Sequence, residues 1–274
     1  MVRVFIVFIL LWSSLVAQDD KLNQAVKSII GTKSYNANSQ LIGVVFKQKS
    51  NYYDGSQINY VSVVKALKEN RLADFTQKSS QSTLLSFTAE GSPLLFIKIV
   101  TDSMRDSGLF KYMTKGSSLN NSEFVWNIEL ANDVALDPVV FGNQLAKYGC
   151  KIASLSKNST GGLDYLIDMQ NAHLDVTVLK DANNISLERV ASEKWVNVSQ
   201  VSTLTISSNH ANSWFPSISF YDQNLNLVKS QKIDDKTFHL DVSVPSNAVY
   251  MKITDIYTLK NIKNGLDIEV NNLR

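Results

Sequence analysis

The chain has 274 residues, with 27 Lys and Arg against 25 Asp and Glu and 44% hydrophobic side chains. That balance suits one large or two ordinary globular domains, and a formal charge of +2 without a long basic run argues against a nucleic-acid footprint. A single cysteine, Cys150, excludes an internal disulfide framework, so stability must come from the core.

The chain opens on Met1-Val2-Arg3, runs from Val4 to Trp12 without a polar side chain, and shortens to Ser13-Ser14-Leu15-Val16-Ala17 before Gln18-Asp19-Asp20. A charged start, a short apolar centre and a small-residue end predict a secretory signal over residues 1–17. The apolar centre falls short of the roughly 20 residues a membrane helix needs. The expectation is an exported, periplasmic protein that keeps no transmembrane segment once the signal is removed.

Leu22, Ala25, Val26, Ile29 and Ile30 share one helical face, which predicts a helix from Asp20 to Ile30 closed by Gly31. Leu41-Ile42-Gly43-Val44-Val45-Phe46 is rich in β-branched residues and reads as a buried strand. Ser56 offers an N-cap for a helix carrying Ile58, Val61, Val64 and Leu67, and strands are predicted over 72–77 and 83–88. Ser92-Pro93 starts a helix that Asp106-Ser107-Gly108 ends. A strand over 109–114, a loop over 115–122 and the alternating strand Phe124–Leu130 follow. Asp137-Pro138 opens another helix, closed by Gly149, before strands over 151–157 and 163–169.

These elements read as two β-α-β-β blocks, Leu41–Thr88 and Phe124–Met169. They predict an α+β, ferredoxin-like part over residues 18–180, with antiparallel sheets and helices on one face. Helix signals then stop. Seven short β-type runs, at 195–199, 203–207, 217–221, 225–231, 237–244, 250–255 and 265–270, predict a jelly-roll-like β-sandwich over residues 181–274.

No nucleophile elbow, Walker loop, HExxH or GxGxxG stands out, which leads us to expect no enzyme and no cofactor. His173, His210 and His239 have no second ligand at metal spacing. A glycosidase would need two of Asp133, Asp137, Asp164, Asp168 and Asp175 facing across a cleft; capping and solvated roles suit them better. Asp234, Asp235 and Asp255 supply calcium-type oxygens but lack EF-hand spacing.

The candidate ligand site is in the last part of the chain. Asn209 to Pro216 is a polar loop leading into Trp214 and Phe215, and Tyr221, Asp222 and Tyr257 could join it. Aromatic faces beside Asn and Asp hold a sugar ring by stacking below and hydrogen bonds at the rim. The candidate residues are therefore Asn212, Trp214, Tyr221, Asp222 and Tyr257. In the alternative, Trp214 and Phe220 fill the sandwich core and Asp222-Gln223-Asn224 is a turn.

Pro93-Leu94-Leu95-Phe96-Ile97-Lys98, Phe124-Val125-Trp126, Asp137-Pro138-Val139, Trp214-Phe215-Pro216, Phe220-Tyr221-Asp222 and Asp255-Ile256-Tyr257-Thr258-Leu259 together resemble a group of periplasmic proteins of spiral, flagellated bacteria, some linked to motility. The C-terminal part is similar in architecture to carbohydrate-binding and pre-peptidase sandwich modules. The export signal, the lack of a reactive cluster and the two-part layout predict a non-enzymatic binding or scaffold protein that docks on an envelope or periplasmic protein partner, and the resemblance implies that it supports flagellar motility or envelope assembly. The alternative it implies is a glycan-binding module acting on peptidoglycan or surface sugars.

Overall fold

A computed structural model describes residues 20–75, 82–131, 135–180, 185–188 and 193–274. The expected signal, residues 76–77 of a predicted strand, and Asp133 lie outside them. The chain divides into two compact units, the first ending at Ala172 and the second beginning at His173.

The first unit opens with α1 (20–30), whose apolar face of Leu22, Ala25, Val26, Ile29 and Ile30 is buried. Ser28 on that helix donates its hydroxyl to the carbonyl of Leu155, 2.9 Å away. Two short helices follow, α2 (Thr32–Ala37) and α3 (Ser39–Val45). The strand expected at Leu41–Phe46 is thus a helix. Ile42 and Phe46, one turn apart, are both buried, and the Phe46 ring meets Tyr52 at 4.7 Å. Burial at the helical i, i+4 spacing overrides a β-type composition whose preference depends on context.

β1 (Tyr53–Asp54) and β2 (Gln57–Ile58) form a small hairpin that contains Ser56 in its turn. The cap of α4 (Tyr60–Glu69) is accordingly Asn59, which accepts from the Ser62 amide. Residues 72–75, expected in a strand, are irregular.

The rest of the unit is β3 (Thr83–Glu90), α5 (Pro93–Asp106), β4 (Tyr112–Asn120), β5 (Glu123–Leu130), α6 (Pro138–Lys147), β6 (Lys151–Lys157) and β7 (Leu163–Asp168). Ser92 and Asp137 cap their helices as their sequence signatures predict. β4 runs through residues expected in a loop. It is the sheet's edge and buries none of its side chains, so small polar residues suffice there. The sheet order is β4-β5-β3-β7-β6. β3 and β7 run parallel and the other neighbours antiparallel. This corrects both the wholly antiparallel sheet and the β-α-β-β repeat: what recurs is a helix followed by a hairpin, placed once on each side of β3. Leu85, Phe87, Phe124, Trp126 and Tyr165 alternate onto one buried face. There Phe87 stacks on Tyr165 at 5.1 Å and meets Phe141 of α6 at 5.6 Å, while Phe96 of α5 meets Phe124 edge-on.

The second unit contains β8 (Ile185–Leu187), β9 (Lys194–Asn197), β10 (Val201–Ser208), β11 (Pro216–Tyr221), β12 (Leu227–Lys232), β13 (His239–Ser243), β14 (Tyr250–Asp255) and β15 (Leu266–Leu273). The seven β-type runs read from the sequence fall on seven of these; β8 escaped notice because it has only three residues. Two four-stranded sheets, β13-β10-β15-β8 and β12-β11-β14-β9, are antiparallel throughout. Leu204, Ile206 and Ile268 from one sheet share a buried core with Ile218, Phe220 and Ile253 from the other, making a β-sandwich. Among the described residues no helix is long and apolar enough to cross a membrane.

Candidate functional site

One end of the sandwich gathers three loops: 209–215 between β10 and β11, 233–238 between β12 and β13, and 256–265 between β14 and β15. They are stitched to one another through the backbone. Ser213 donates to Asn261, Thr237 to Trp214, and Ile256 to Phe215, all at 2.9–3.0 Å.

Asp255, at the end of β14 and only 8% exposed, is the hub. One carboxylate oxygen accepts from the Phe215 amide at 2.8 Å. The other accepts from the amides of Tyr257 and Thr258 and from the Asn261 side chain, at 2.8, 2.9 and 3.0 Å. A buried carboxylate is tolerated when donors surround it. With four protein donors already on it, Asp255 is a loop organiser, and its calcium-ligand role is not needed to explain it. Among the described residues no group of three or more His, Cys, Asp or Glu is placed to hold a metal ion.

Asn212 plays a similar part from the first loop. Its side-chain amide donates to Ser208 and to the Gly265 carbonyl, and its oxygen accepts from the Asn264 amide. Trp214 is fully buried in the sandwich core and donates its indole N–H to the Thr254 carbonyl at 3.0 Å. Neither side chain faces solvent, so neither can stack on or hydrogen-bond a ligand from outside. Packing and loop tethering are their roles, the alternative that the sequence left open.

Tyr221 and Asp222 lie at the far end of β11. Six residues of strand, at roughly 3.3 Å each, put Tyr221 about 20 Å from Phe215. The Tyr221 ring packs on Trp195 at 5.0 Å. Asp222 accepts from the amides of Asn224 and Asn226 and from the Asn226 side chain. Burial opposes its charge, but these donors win and hold its carboxyl below the ordinary range. It is a turn residue. The five candidates therefore do not converge on one surface.

Tyr257 is the candidate that faces outward, at 62% exposure. Its ring meets Phe215 edge-on at 5.2 Å, and its hydroxyl donates to Asp234. That bond, with lesser contributions from burial and the neighbouring carboxylates, raises the phenol above its ordinary range. Asn264 and Lys260 are exposed close by in sequence. On the same end, Phe238 carries the Lys236 ammonium over its face at 5.0 Å and meets His210 at 5.4 Å. The sequence does not show Phe215 and Asp234 as surroundings of Tyr257, because they come from two other loops and meet it only in the fold.

Elsewhere the chemistry is sparse. His239 stands 3.0 Å from the Ser207 hydroxyl, but both lie on the open face of a sheet, with no cleft to exclude water. Asp137 caps α6 and pairs with Lys68, Asp164 bonds Asn158, and Asp168 pairs with Lys151. A groove of about 640 Å³ beside α4 and α6 is lined by Val61, Lys65, Val139, Ala146 and Cys150. Burial, helped by Asp168, pushes the Cys150 thiol up to about 12, so it is no nucleophile at neutral pH.

No family model matches the sequence, and no curated protein matches it. Among solved structures the chain is similar to the lectin domain of lectinolysin complexed with Lewis B antigen, at 14% identity, covering 34% of this chain and 94% of that one, with a TM-score of 0.22. A histidine mutant of that domain with Lewis b matches at 10% identity over the same shares, with a TM-score of 0.21. The structure of infectious bursal disease virus, Gt strain, matches at 10% identity over 71% of this chain and 52% of that chain, with a TM-score of 0.16. Scores at this level establish no common fold.

Proposed function

We propose that this chain is an exported, non-enzymatic binding protein, and that the loop end of its second, jelly-roll-like unit takes a sugar ring on Tyr257. The observation that carries the reading is the Tyr257 platform. It is an exposed aromatic ring steadied edge-on by Phe215, with a carboxylate at its hydroxyl and a buried Asp255 fixing the loop beneath. A ring held in place in advance loses little freedom on binding, and the aromatic face and polar rim match the apolar face and hydroxyl edge of a pyranose. Periplasmic export supplies a setting rich in such rings, the glycan strands of the envelope.

Titration with peptidoglycan fragments and a panel of surface sugars tests it, comparing the natural chain with Tyr257→Ala. Loss of the ring should weaken binding by roughly 1–2 kcal/mol, about tenfold in Kd. Affinity unchanged in Tyr257→Ala would end the proposal, as would absence of binding to every sugar offered.

A further inference from the structure

The overall charge balance conceals a local one. Between Asp20 and Asp54 the chain has no acidic residue, yet it carries Lys21, Lys27, Lys33, Lys47 and Lys49. This stretch spans α1, α2 and α3. α1 is seated by its buried face. Beyond it comes an arm seated by few side chains: α2 buries none of its residues and α3 buries only Ile42. The arm returns to the body at Phe46, where the Tyr52 hydroxyl donates to the Val45 carbonyl at 3.0 Å.

Leu41 and Val44 point away from the body, at 43% and 71% exposure. They are three residues apart in a helix and so form one continuous apolar spot. Lys47 follows Val44 at the same interval, its amide bonding back to the Val44 carbonyl at 3.3 Å. Lys21, Lys27, Lys33 and Lys47 are exposed, and none has an ion-pair partner among the described residues.

We propose that α2 and α3 form a docking arm for an anionic lipid bilayer, with Leu41 and Val44 entering the headgroup layer and the lysines meeting lipid phosphates. Charge complementarity selects the occupant: an acid-free basic stretch is drawn to a negative membrane surface within a Debye length. The outward aliphatic pair adds the shallow burial by which interfacial helices hold. An acidic protein or polysaccharide would satisfy the lysines but give Leu41 and Val44 nothing to enter. The arm lies in the first unit and the inference stands apart from the sugar site on the second.

The exported chain, its N-terminus read by mass spectrometry, is sedimented with vesicles of phosphatidylglycerol and phosphatidylcholine in equal parts and with phosphatidylcholine alone. Binding should favour the anionic vesicles and fall as salt is raised. Lys33→Gln and Lys47→Gln should each weaken it about fivefold, and Leu41→Ser with Val44→Ser about tenfold. Tyr257→Ala should leave it unchanged, which separates this result from the sugar assay. Circular dichroism confirms that each variant is folded; all four positions are exposed, so folding should survive. Equal binding to both vesicle types overturns the proposal, as does no binding to the anionic ones. Anionic binding that survives Leu41→Ser with Val44→Ser also overturns it, pointing to a purely electrostatic contact with some other polyanion.

Discussion

The loop end of the second unit and the α2–α3 arm of the first are opposite solutions to presenting a surface. At the loop end a buried carboxylate and a buried amide, Asp255 and Asn212, tie three loops together with side-chain and backbone hydrogen bonds. In the arm a single buried residue, Ile42, holds two short helices that have no side-chain cap. A tied surface keeps one shape and suits a small rigid ligand. A lightly seated one opens at small cost and suits a broad, soft partner. The difference lies in where the polar groups go: inward to organise loops in one case, outward to solvent in the other.

The contrast breaks most visibly at the core beneath the loop end. Trp214→Ala should cost about 3–5 kcal/mol, because the largest buried side chain of the sandwich is replaced by a cavity and the Thr254 carbonyl loses its donor. Chemical denaturation should show the loss in the second unit. A cost below about 1 kcal/mol would mean that Trp214 is not in the core. Gly162→Ala is the counterpart in the first unit, expected at about 3 kcal/mol or more. A Cβ there would stand 1.8 Å from the Leu84 carbonyl oxygen, so the β6–β7 hairpin would have to shift away from β3. Asp255→Ala comes next, at about 2–3 kcal/mol, because four donors lose a buried acceptor. It should also weaken sugar binding although Asp255 touches no ligand. If stability falls and affinity does not, the loop end does not owe its shape to that carboxylate.

These positions also show which parts of the fold were legible in the sequence. Ser92-Pro93 and Asp137-Pro138 announced their helices because a cap and a first-turn proline act within one turn of chain. The strands of the sandwich were legible because alternation records a sheet with one wet face. Leu41–Phe46 misled because its β-type residues include apolar side chains at 42 and 46, one turn apart, which also satisfy a helix once a body exists to bury them. The stretch 115–120 was missed as a continuation of its strand because an edge strand buries little and so leaves no apolar pattern. The site was less legible still. A loop sequence does not say which way Trp214 or Asn212 points, and the hub at Asp255 joins Phe215, 40 residues earlier, to its own near neighbours.

A smaller effect distinguishes Cys150 from a reactive thiol. Its folded pKa lies above the unfolded value of about 8.5, so the native state holds the proton more tightly. The stability this represents is complete below about pH 8.5 and is lost as pH rises toward about 12. Iodoacetamide at pH 8 should label the native chain far more slowly than the denatured one, and rapid native labelling would show the thiol exposed.

The smallest expected effect is the most telling for the comparison. Val44→Ser should change stability by less than about 0.5 kcal/mol, as exposed substitutions do, whereas Ile42→Ala two residues away should cost about 2–4 kcal/mol. Both are apolar residues of one seven-residue helix; only the direction they face differs. Two equal and small costs would show that the arm is not seated at all, and that Ile42 adds nothing to the body. Two equal and large costs would place Val44 inside, remove the outward aliphatic pair, and leave the lysines as the arm's sole means of attachment.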